Sequence, residues 1–395
     1  MKPLAILSLS AVSVCAQDGF HLAPADSPYL LDLRPSLEAV VWSGDNPTPA
    51  DLNRTDTSFF APRLTLDMDA SVGDHWFLLA TARFDRGFDP GADPDGDVRL
   101  DEIILRWRVC DDQRLNFQIG KFTTVFGAWP NSHGFFDDAF LLAPLPYSQI
   151  IGFSGGNGGP GPGGPPGPGP GPGPGGGGGL PGRGDNEWAS LIWGPVYTSG
   201  ASVFGATEYL DYALEVKNTG LAANPDSWSD MDFSHPAVSA RFGYRPDAAW
   251  AFGVSASQGP WLDENVPNGD RDDLLQSTLG LDARWAHHNL ILSGEVILTE
   301  FETPAAGDLR ATSWFLQARW KVSPGFWLAT RFGQILTNEA AGDVVWQPDL
   351  WRAEIGTGWR ITSNLLFKAG YSYTHADGGG DSGNHLLGTG IGWQF

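Results

Sequence analysis

The stretch that decides the fold is 365–395, LLFKAGYSYTHADGGGDSGNHLLGTGIGWQF. Alternate positions of Leu365–Thr374 and of Leu386–Phe395 carry apolar or aromatic residues, and the positions between them carry small or polar ones. Because a strand points successive side chains to opposite faces, the stretch predicts a hairpin with one apolar face and one polar face. A membrane barrel, with lipid outside and water inside, has this pattern. A soluble sandwich also alternates, so the hairpin alone leaves both architectures open.

Residues 1–16 have the pattern of a secretory signal peptide. One basic residue, Lys2, precedes an apolar run that ends at Val14, and small residues follow. We expect cleavage before Gln17, with a lipoprotein anchored through Cys15 as the alternative. Cleavage leaves Cys110 as the one remaining cysteine, so no disulfide and no cysteine metal site are expected. No later apolar run reaches the length of about 18 residues that a transmembrane helix needs.

Period-2 alternation predicts about sixteen strands along the rest of the chain. The connections alternate between tight turns, at 71–74, 111–113, 245–248, 286–287, 323–325 and 362–364, and long polar segments. An outer-membrane barrel has short periplasmic turns and long extracellular loops, whereas a soluble sandwich has no reason to alternate. We therefore predict an all-β fold, a transmembrane antiparallel β-barrel of about sixteen strands, as one domain over 17–395.

Tryptophans support the same topology. Their apolar ring and polar N–H suit the interface between membrane and water. Two of them, Trp314 and Trp351, are predicted to lie at the extracellular interface. A periplasmic girdle is predicted from the five that lie beside short turns or the chain end on the apolar parity: Trp250, Trp285, Trp320, Trp359 and Trp393.

The formal net charge of −22 is concentrated in the long loops. The eight predicted loops hold 27 of the 46 acidic residues and 5 of the 24 basic ones, so the barrel body is nearly neutral. A strongly acidic extracellular face repels phosphate, which excludes nucleic acid as a partner.

Most basic residues of the strands fall on the polar, inward parity. Cationic side chains in a pore lower the barrier for anions, and guanidinium binds oxyanions through two hydrogen bonds. The alternative is that these residues pair with inward carboxylates such as Asp282 and Glu354, which leaves a weakly selective water-filled pore. The pore-lining candidates are Arg63, Arg106, Arg108, Arg241, Arg284, Arg319, Lys321, Arg352 and Lys368.

Residues 120–127 read GKFTTVFG and follow the alternating segment LNFQIG. They resemble the G-K-F…F-G segment of the phosphate-selective porin O and P family, and RLDEIILRW and APLPY are similar to carbohydrate- or anion-channel relatives. The resemblance implies a sixteen-stranded trimeric barrel whose basic lumen admits phosphate or other anions. It places Lys121, Arg106 and Arg108 at the constriction. The chain departs from the phosphate-selective members in having few lysines and a Gly/Pro-rich insert.

The third long connection, from Phe122 to about Pro195, contains that insert at 152–187. Glycine and proline without a triplet repeat predict a disordered or polyproline-like segment. The aromatic segment before it, 129–147, occupies the position of the loop that folds into the lumen in general porins. We expect it to fold inward, with Asp137 and Asp138 as constriction candidates; an external cap over the mouth is the alternative.

The resemblance and the charge pattern together predict a passive channel in the outer membrane of a Gram-negative-type cell. We expect lipid around the barrel, small hydrophilic solutes with a preference for anions, and a homotrimer. Two alternatives stay open: a plugged structural or adhesive surface protein, and a carbohydrate-specific channel with an aromatic stacking track, for which Trp327 is the one candidate tryptophan. The histidines are scattered and HExxH does not occur, so no enzyme, metal or cofactor is expected.

Overall fold

The computed structural model describes residues 20–22, 29–45, 57–85, 96–153, 187–222, 233, 235–261, 274–302, 308–340, 344–345, 349–377 and 383–395. The predicted signal peptide, 1–16, and nearly all of the Gly/Pro-rich insert, 152–187, lie outside these residues.

Sixteen antiparallel strands form one closed barrel. Each strand pairs with the next in sequence, and β1 pairs with both β2 and β16, which closes the sheet. The prediction of an all-β barrel with sixteen strands is confirmed. The strands are β1 (Tyr29–Gly44), β2 (Ser58–Val72), β3 (Trp76–Asp85), β4 (Asp97–Arg108), β5 (Asn116–Phe122), β6 (Thr198–Ala206), β7 (Leu210–Lys217), β8 (Ala237–Tyr244), β9 (Trp250–Pro260), β10 (Leu275–His287), β11 (Leu290–Phe301), β12 (Leu309–Ser323), β13 (Phe326–Thr337), β14 (Leu350–Arg360), β15 (Leu365–Ala376) and β16 (Gly383–Gln394).

The connections between strands alternate in length, as predicted. One end of the barrel carries short turns such as 73–75, 288–289 and 324–325, and the other end carries long connections, of which 123–197 is the longest. These ends are called the short-turn end and the long-loop end. Both β1 and β16 have their free termini at the short-turn end, where the N–H of Phe395 donates to the carbonyl of Pro35 at 3.0 Å.

Three short strand pairs and two short helices complete the described secondary structure. Phe20–Leu22 pairs with the part of β1 that extends beyond β16, Ile150–Phe153 pairs with Glu187–Ser190, and Glu339–Ala340 pairs with Val344–Val345. The helices are a 3₁₀ turn at Trp129–Ser132 and an α-helical turn at Leu145–Ser148. Within the described residues, no helix has the length and apolar character needed to cross a membrane.

The outer face of the barrel is apolar from end to end. Leu281, Ile119 and Leu316 are each more than half exposed on it. At the short-turn end the five predicted girdle tryptophans all lie on the outward parity beside turns or the chain terminus, and Trp250 is directly opposite Trp285 on the next strand. At the long-loop end Phe332 lies between the outward rings of Trp314 and Trp351, at centroid distances of 5.5 and 5.9 Å.

Candidate functional site

The third long connection folds into the barrel. Its first arm, 123–149, and its second arm, 190–197, are buried against the inward faces of the strands; together they are called the inner loop. Phe126, Tyr147 and Ile192 of the inner loop pack in one cluster with Ile297 of β11 and Phe315 of β12, all at most 4 % exposed. The inward folding predicted for the aromatic segment is confirmed.

Two glycines of the GKFTTVFG segment allow the chain to turn from the wall into the lumen. Gly120 has φ +136°, and a Cβ at this position would lie 1.9 Å from the carbonyl oxygen of Ile103. Gly127 has φ +76°, and a Cβ there would lie 2.2 Å from the phenol oxygen of Tyr147. Residues with a side chain are disfavoured at both backbone angles, so the glycines of the motif have a structural role.

A buried carboxylate, Glu295 of β11, binds the inner loop at three points. Its Oε1 accepts hydrogen bonds from the backbone N–H groups of Ala128, at 2.9 Å, and Trp129, at 2.7 Å. Its Oε2 accepts from the phenol of Tyr147 at 2.5 Å. Burial, together with the nearby carboxylate, raises the pKa of Tyr147 well above its usual range, so the phenol keeps the proton that it donates.

Glu215 and Lys217 of β7 bind the start of the inner loop. Glu215 accepts from the hydroxyl of Thr124 at 2.7 Å and from the N–H of Val125 at 3.2 Å. The ammonium group of Lys217 donates to the carbonyls of Phe122, the last residue of β5, at 2.5 Å, and of Val196 in the second arm, at 3.2 Å. It thus joins the second arm to the strand from which the first arm begins.

On the opposite side, three inward cations of β13–β15 bind the inner loop. Arg331 donates to the carbonyl of Leu142 at 2.6 Å and forms an ion pair with Glu354 at 2.5 Å. Arg352 donates to the hydroxyl of Ser148 at 3.0 Å. Lys368, 1 % exposed, donates to the carbonyls of Asp138 and Phe140 at 2.6 and 3.2 Å. Two of the pore-lining candidates, Arg352 and Lys368, are therefore inward but covered by the loop.

The inward, glycine-rich face of β16 contacts the aromatic part of the inner loop. A Cβ on Gly392 would lie 2.6 Å from the ring of Phe135, and one on Gly390 would lie 3.1 Å from the same ring. A Cβ on Gly356 of β14 would lie 3.2 Å from the ring of Phe140. The glycines that make one face of the C-terminal hairpin small thus provide the space that two phenylalanines fill.

The lumen has two unlike halves. In the long-loop half, inward side chains such as Ser255, Thr278 and Ile335 are buried. In the short-turn half, many inward side chains keep partial or full exposure, although Trp327 and Leu366 are buried. The water-accessible part of this half is called the vestibule. Its lining includes Asp69, Phe77, Arg106, Arg108, Gln118, Phe204, Asp282, Arg284, Arg319 and Lys321.

Five of the twelve candidate residues lie in the vestibule with no carboxylate in ion-pair contact in the described structure. Lys321 and Arg284 are exposed there. Arg319 lies with its guanidinium carbon 4.3 Å from the centroid of Trp327, and Arg106 and Arg108 stack on phenyl rings in the same way. Asp137 is exposed on the inner loop, while Asp138 is buried and accepts the indole N–H of Trp129 at 2.9 Å.

Other candidates are neutralised by carboxylates on neighbouring strands. Arg241 of β8 reaches across Gly253 to form two hydrogen bonds with Asp282 of β10, at 2.5 and 2.9 Å. A Cβ on Gly253 would lie 2.4 Å from this guanidinium group, so the pair depends on the glycine. Arg63 is 8 % exposed and lies 3.5 Å from Glu38 and 3.4 Å from Asp85.

Two sequence expectations need correction. Lys121 is paired with the outward Ile103 and lies between Gly120 and Phe122, which face inward, so it is on the outward parity and not in the lumen. Trp327 faces inward but is 3 % exposed, with Arg319 over its ring, so it presents no open face to a sugar.

The residues that bind the inner loop were not singled out from the sequence. Glu295, Glu215 and Lys217 belong to no motif that would mark them as loop-binding residues. The one available signal is that each is a charged residue on the inward parity of its strand.

Comparisons with known proteins bear on the fold. No protein-family model and no curated protein sequence matches the chain. The chain is similar to the solved structure of the outer-membrane channel DcaP of Acinetobacter baumannii, with a TM-score of 0.60 and 9% identity over 96% of this chain and 100% of that one. The trimer form of in-vitro folded OmpT, an outer membrane protein of Vibrio cholerae, gives a TM-score of 0.58 and 13% identity over 94% and 100%.

A third similar structure is an anion-selective porin from Comamonas acidovorans, with a TM-score of 0.56 and 10% identity over 93% of this chain and 100% of that chain. At these identities the likeness concerns architecture alone. The chain therefore has the fold of outer-membrane porins, a closed antiparallel barrel of sixteen strands.

Proposed function

We propose that the chain is a porin of a Gram-negative-type outer membrane, through which small hydrophilic solutes diffuse passively. The observation that carries the proposal is the vestibule: a water-accessible, charged interior inside a barrel whose outer face is apolar. Lipid on the outside and water on the inside satisfy both faces. The porins among the similar structures support the same conclusion.

A preference for anions is the finer part of the proposal. Arg106, Arg108, Arg284, Arg319 and Lys321 line the vestibule without carboxylates in ion-pair contact, in the described part of the chain. Unneutralised cations next to a narrow path lower the electrostatic barrier for anions and raise it for cations. The homotrimeric state is an expectation from the sequence resemblance, and the trimer form of one similar structure supports it. The anion-selective porin among the similar structures supports the preference for anions in general.

A second candidate is a surface protein whose barrel is plugged. Dense packing of the inner loop against β13–β16 favours it, because Phe135, Phe140 and Leu142 fill that side of the lumen like a protein core. The path for solutes in the porin proposal runs along β2–β4, where Thr65, Thr81 and Glu102 keep partial exposure at mid-height.

The test is the conductance of the purified full chain in a planar lipid bilayer under a KCl gradient. Steady current steps are expected, with a reversal potential displaced toward the equilibrium potential of chloride. A reversal potential on the potassium side would contradict the anion preference. Absence of conductance from protein that is folded by circular dichroism would contradict the porin proposal and favour the plugged barrel.

A further inference from the structure

We propose that Arg106 and Arg108 form a binding subsite for small carboxylates in the vestibule, and that the rings of Phe204 and Phe77 hold the two guanidinium groups in position. The inference rests on the proposed channel function and adds to it a solute class and the residues that recognise it.

The residues of this subsite are neighbours on four consecutive strands. Phe77 of β3 is opposite Arg106 of β4, and Arg106 is opposite Gln118 of β5. Phe204 of β6 is opposite Asn116, which precedes Gln118 on the inward face of β5. Phe77, Arg106, Arg108, Gln118 and Phe204 are all partly exposed to the vestibule. They therefore make one continuous patch that a solute in the vestibule contacts.

Each guanidinium group lies on a phenyl ring. The guanidinium carbon of Arg106 is 5.0 Å from the centroid of Phe204, and that of Arg108 is 4.6 Å from the centroid of Phe77. The amide oxygen of Gln118 accepts two hydrogen bonds from Arg106, at 3.3 and 3.0 Å. Stacking on a ring restricts the rotamers of an arginine side chain, so less conformational entropy is lost when a ligand binds. The rings thus prepare the donors for a ligand.

In the described structure, no ion pair neutralises the positive charge of Arg106 and Arg108. Glu102 and Asp69 are the carboxylates that act electrostatically on Arg106. Asp69 forms an ion pair with Arg34, and Glu102 accepts from the N–H of Thr123 at 3.2 Å. The Nε of Arg108 is buried and has no hydrogen-bond partner within the part of the chain that the structure describes. Among the described residues this differs from Arg63, Arg241 and Arg331, which have carboxylates within 4 Å.

The ligand class follows from the donors and their surroundings. A carboxylate is planar and presents two oxygens to the fork of a guanidinium group, whereas chloride accepts at a single point. The exposed parts of Phe77 and Phe204 beside the donors suit the hydrocarbon part of a short carboxylate and provide nothing for inorganic phosphate. A carboxylate with a small apolar tail is therefore favoured over both chloride and phosphate.

The experiment measures how propionate blocks the chloride current of the full chain in a planar bilayer. In the wild type, half-block is expected at a lower concentration of propionate than of inorganic phosphate. Phe77→Leu and Phe204→Leu keep every charge, so the reversal potential in a KCl gradient is expected to stay the same. The propionate concentration for half-block is expected to rise about threefold to tenfold in each, because the stacked geometry is lost. The double variant Arg106→Gln/Arg108→Gln is expected to lose the block and to shift the reversal potential as well.

Lys321→Gln is the matched control, because Lys321 is an exposed vestibule cation. In the described structure the ring of Trp327 opposite it is stacked by Arg319 instead. Lys321→Gln is expected to shift the reversal potential while leaving the half-block concentration unchanged. The subsite would be overturned if the half-block concentration of propionate is unchanged in both phenylalanine variants, or if Lys321→Gln raises it as much as they do. Either result would mean that the overall positive potential of the vestibule, and not a local site, attracts propionate. Stronger block by phosphate than by propionate would overturn the carboxylate class. Loss of all conductance in the wild type would instead count against the porin proposal.

Discussion

The strands β13–β15 and the strands β10 and β12 carry inward arginine and lysine residues, yet these residues have different surroundings. Arg331, Arg352 and Lys368 of β13–β15 are at most 3 % exposed and bind the inner loop. Arg284 of β10 and Lys321 of β12 are exposed in the vestibule. The same residue type on the same parity thus stabilises a fold in one region and shapes an electric field in the other.

This difference shows that coverage by the inner loop, and not position on a strand, decides whether an inward charged residue contributes to stability or to the electrostatic potential of the lumen. A cation covered by the loop replaces its water with carbonyl oxygens, and its contribution appears as stability. A cation that remains in water contributes little to stability, and its long-range field acts on passing ions. Each prediction below changes one region and uses the other as its reference.

The largest effect is expected at Glu295, where one side chain accepts three hydrogen bonds from the inner loop. Glu295→Ala leaves two backbone N–H groups and a phenol without acceptors in a buried place. We expect docking of the loop to lose about 3–5 kcal/mol, the cost of removing one partner from a buried charged network. The single-channel conductance is expected to rise and become noisy, and the amides of 126–129 to exchange hydrogen faster.

Asp137→Asn is the control for Glu295→Ala. Asp137 belongs to the same loop but is exposed, so the change is expected to leave the exchange of these amides as it is in the wild type. If Glu295→Ala keeps both the conductance and the exchange rates of the wild type, the carboxylate does not hold the loop.

The same substitution made in each region, Lys368→Met under the inner loop and Lys321→Met in the vestibule, compares the two regions directly. Removing Lys368 leaves the carbonyls of Asp138 and Phe140 without a donor, which we expect to cost about 2–4 kcal/mol. Removing Lys321 is expected to change stability by less than about 0.5 kcal/mol, because the side chain is exposed. Thermal unfolding in detergent checks both. Equal losses of stability in the two variants would remove the distinction between the regions.

The sequence was sufficient for the barrel because the information is local. Period-2 alternation identifies which side chains face inward, and the alternation of short and long connections orders the ends; both need only neighbouring residues. The girdle position of Trp250 and Trp285 followed from the same local pattern, and the two lie opposite each other in the structure.

The lumen was less accessible to sequence reasoning because its contacts join distant parts of the chain. Lys368 and Asp138 are 230 positions apart, and nothing near either residue indicates the other. Arg331 pairs with Glu354 across neighbouring strands, a partner that the alternation pattern alone does not indicate. Register decides such partners, and register is set by the closure of the whole sheet. Lys121 was misplaced for a related reason: a motif resemblance indicates a segment, while parity decides the face.

A smaller effect is expected where the loop meets the glycine face of β16. Gly392→Val introduces atoms within the space of Phe135, since even a Cβ would lie 2.6 Å from its ring. Such overpacking costs about 1–3 kcal/mol, which we expect to appear as a lower unfolding temperature and a changed conductance. Gly370→Ala on β15 is the control, because its Cβ would meet only the carbonyl oxygen of Ile355, at 3.6 Å. Equal effects of the two changes would mean that strand propensity, and not the loop, is responsible.

The smallest effect is expected in the vestibule, where the informative result is the direction in which the reversal potential shifts. Arg284→Gln removes a cation that has no ion pair in the described structure, so the reversal potential is expected to move toward potassium with unchanged stability. Asp282→Asn removes the carboxylate that neutralises Arg241. This change is expected to move the reversal potential toward chloride. Because the two positions are alternate residues of β10, they sample nearly the same level of the lumen. Opposite shifts would mean that net charge in the vestibule sets selectivity, whereas shifts of the same sign would place the selective field elsewhere, at the acidic long-loop mouth.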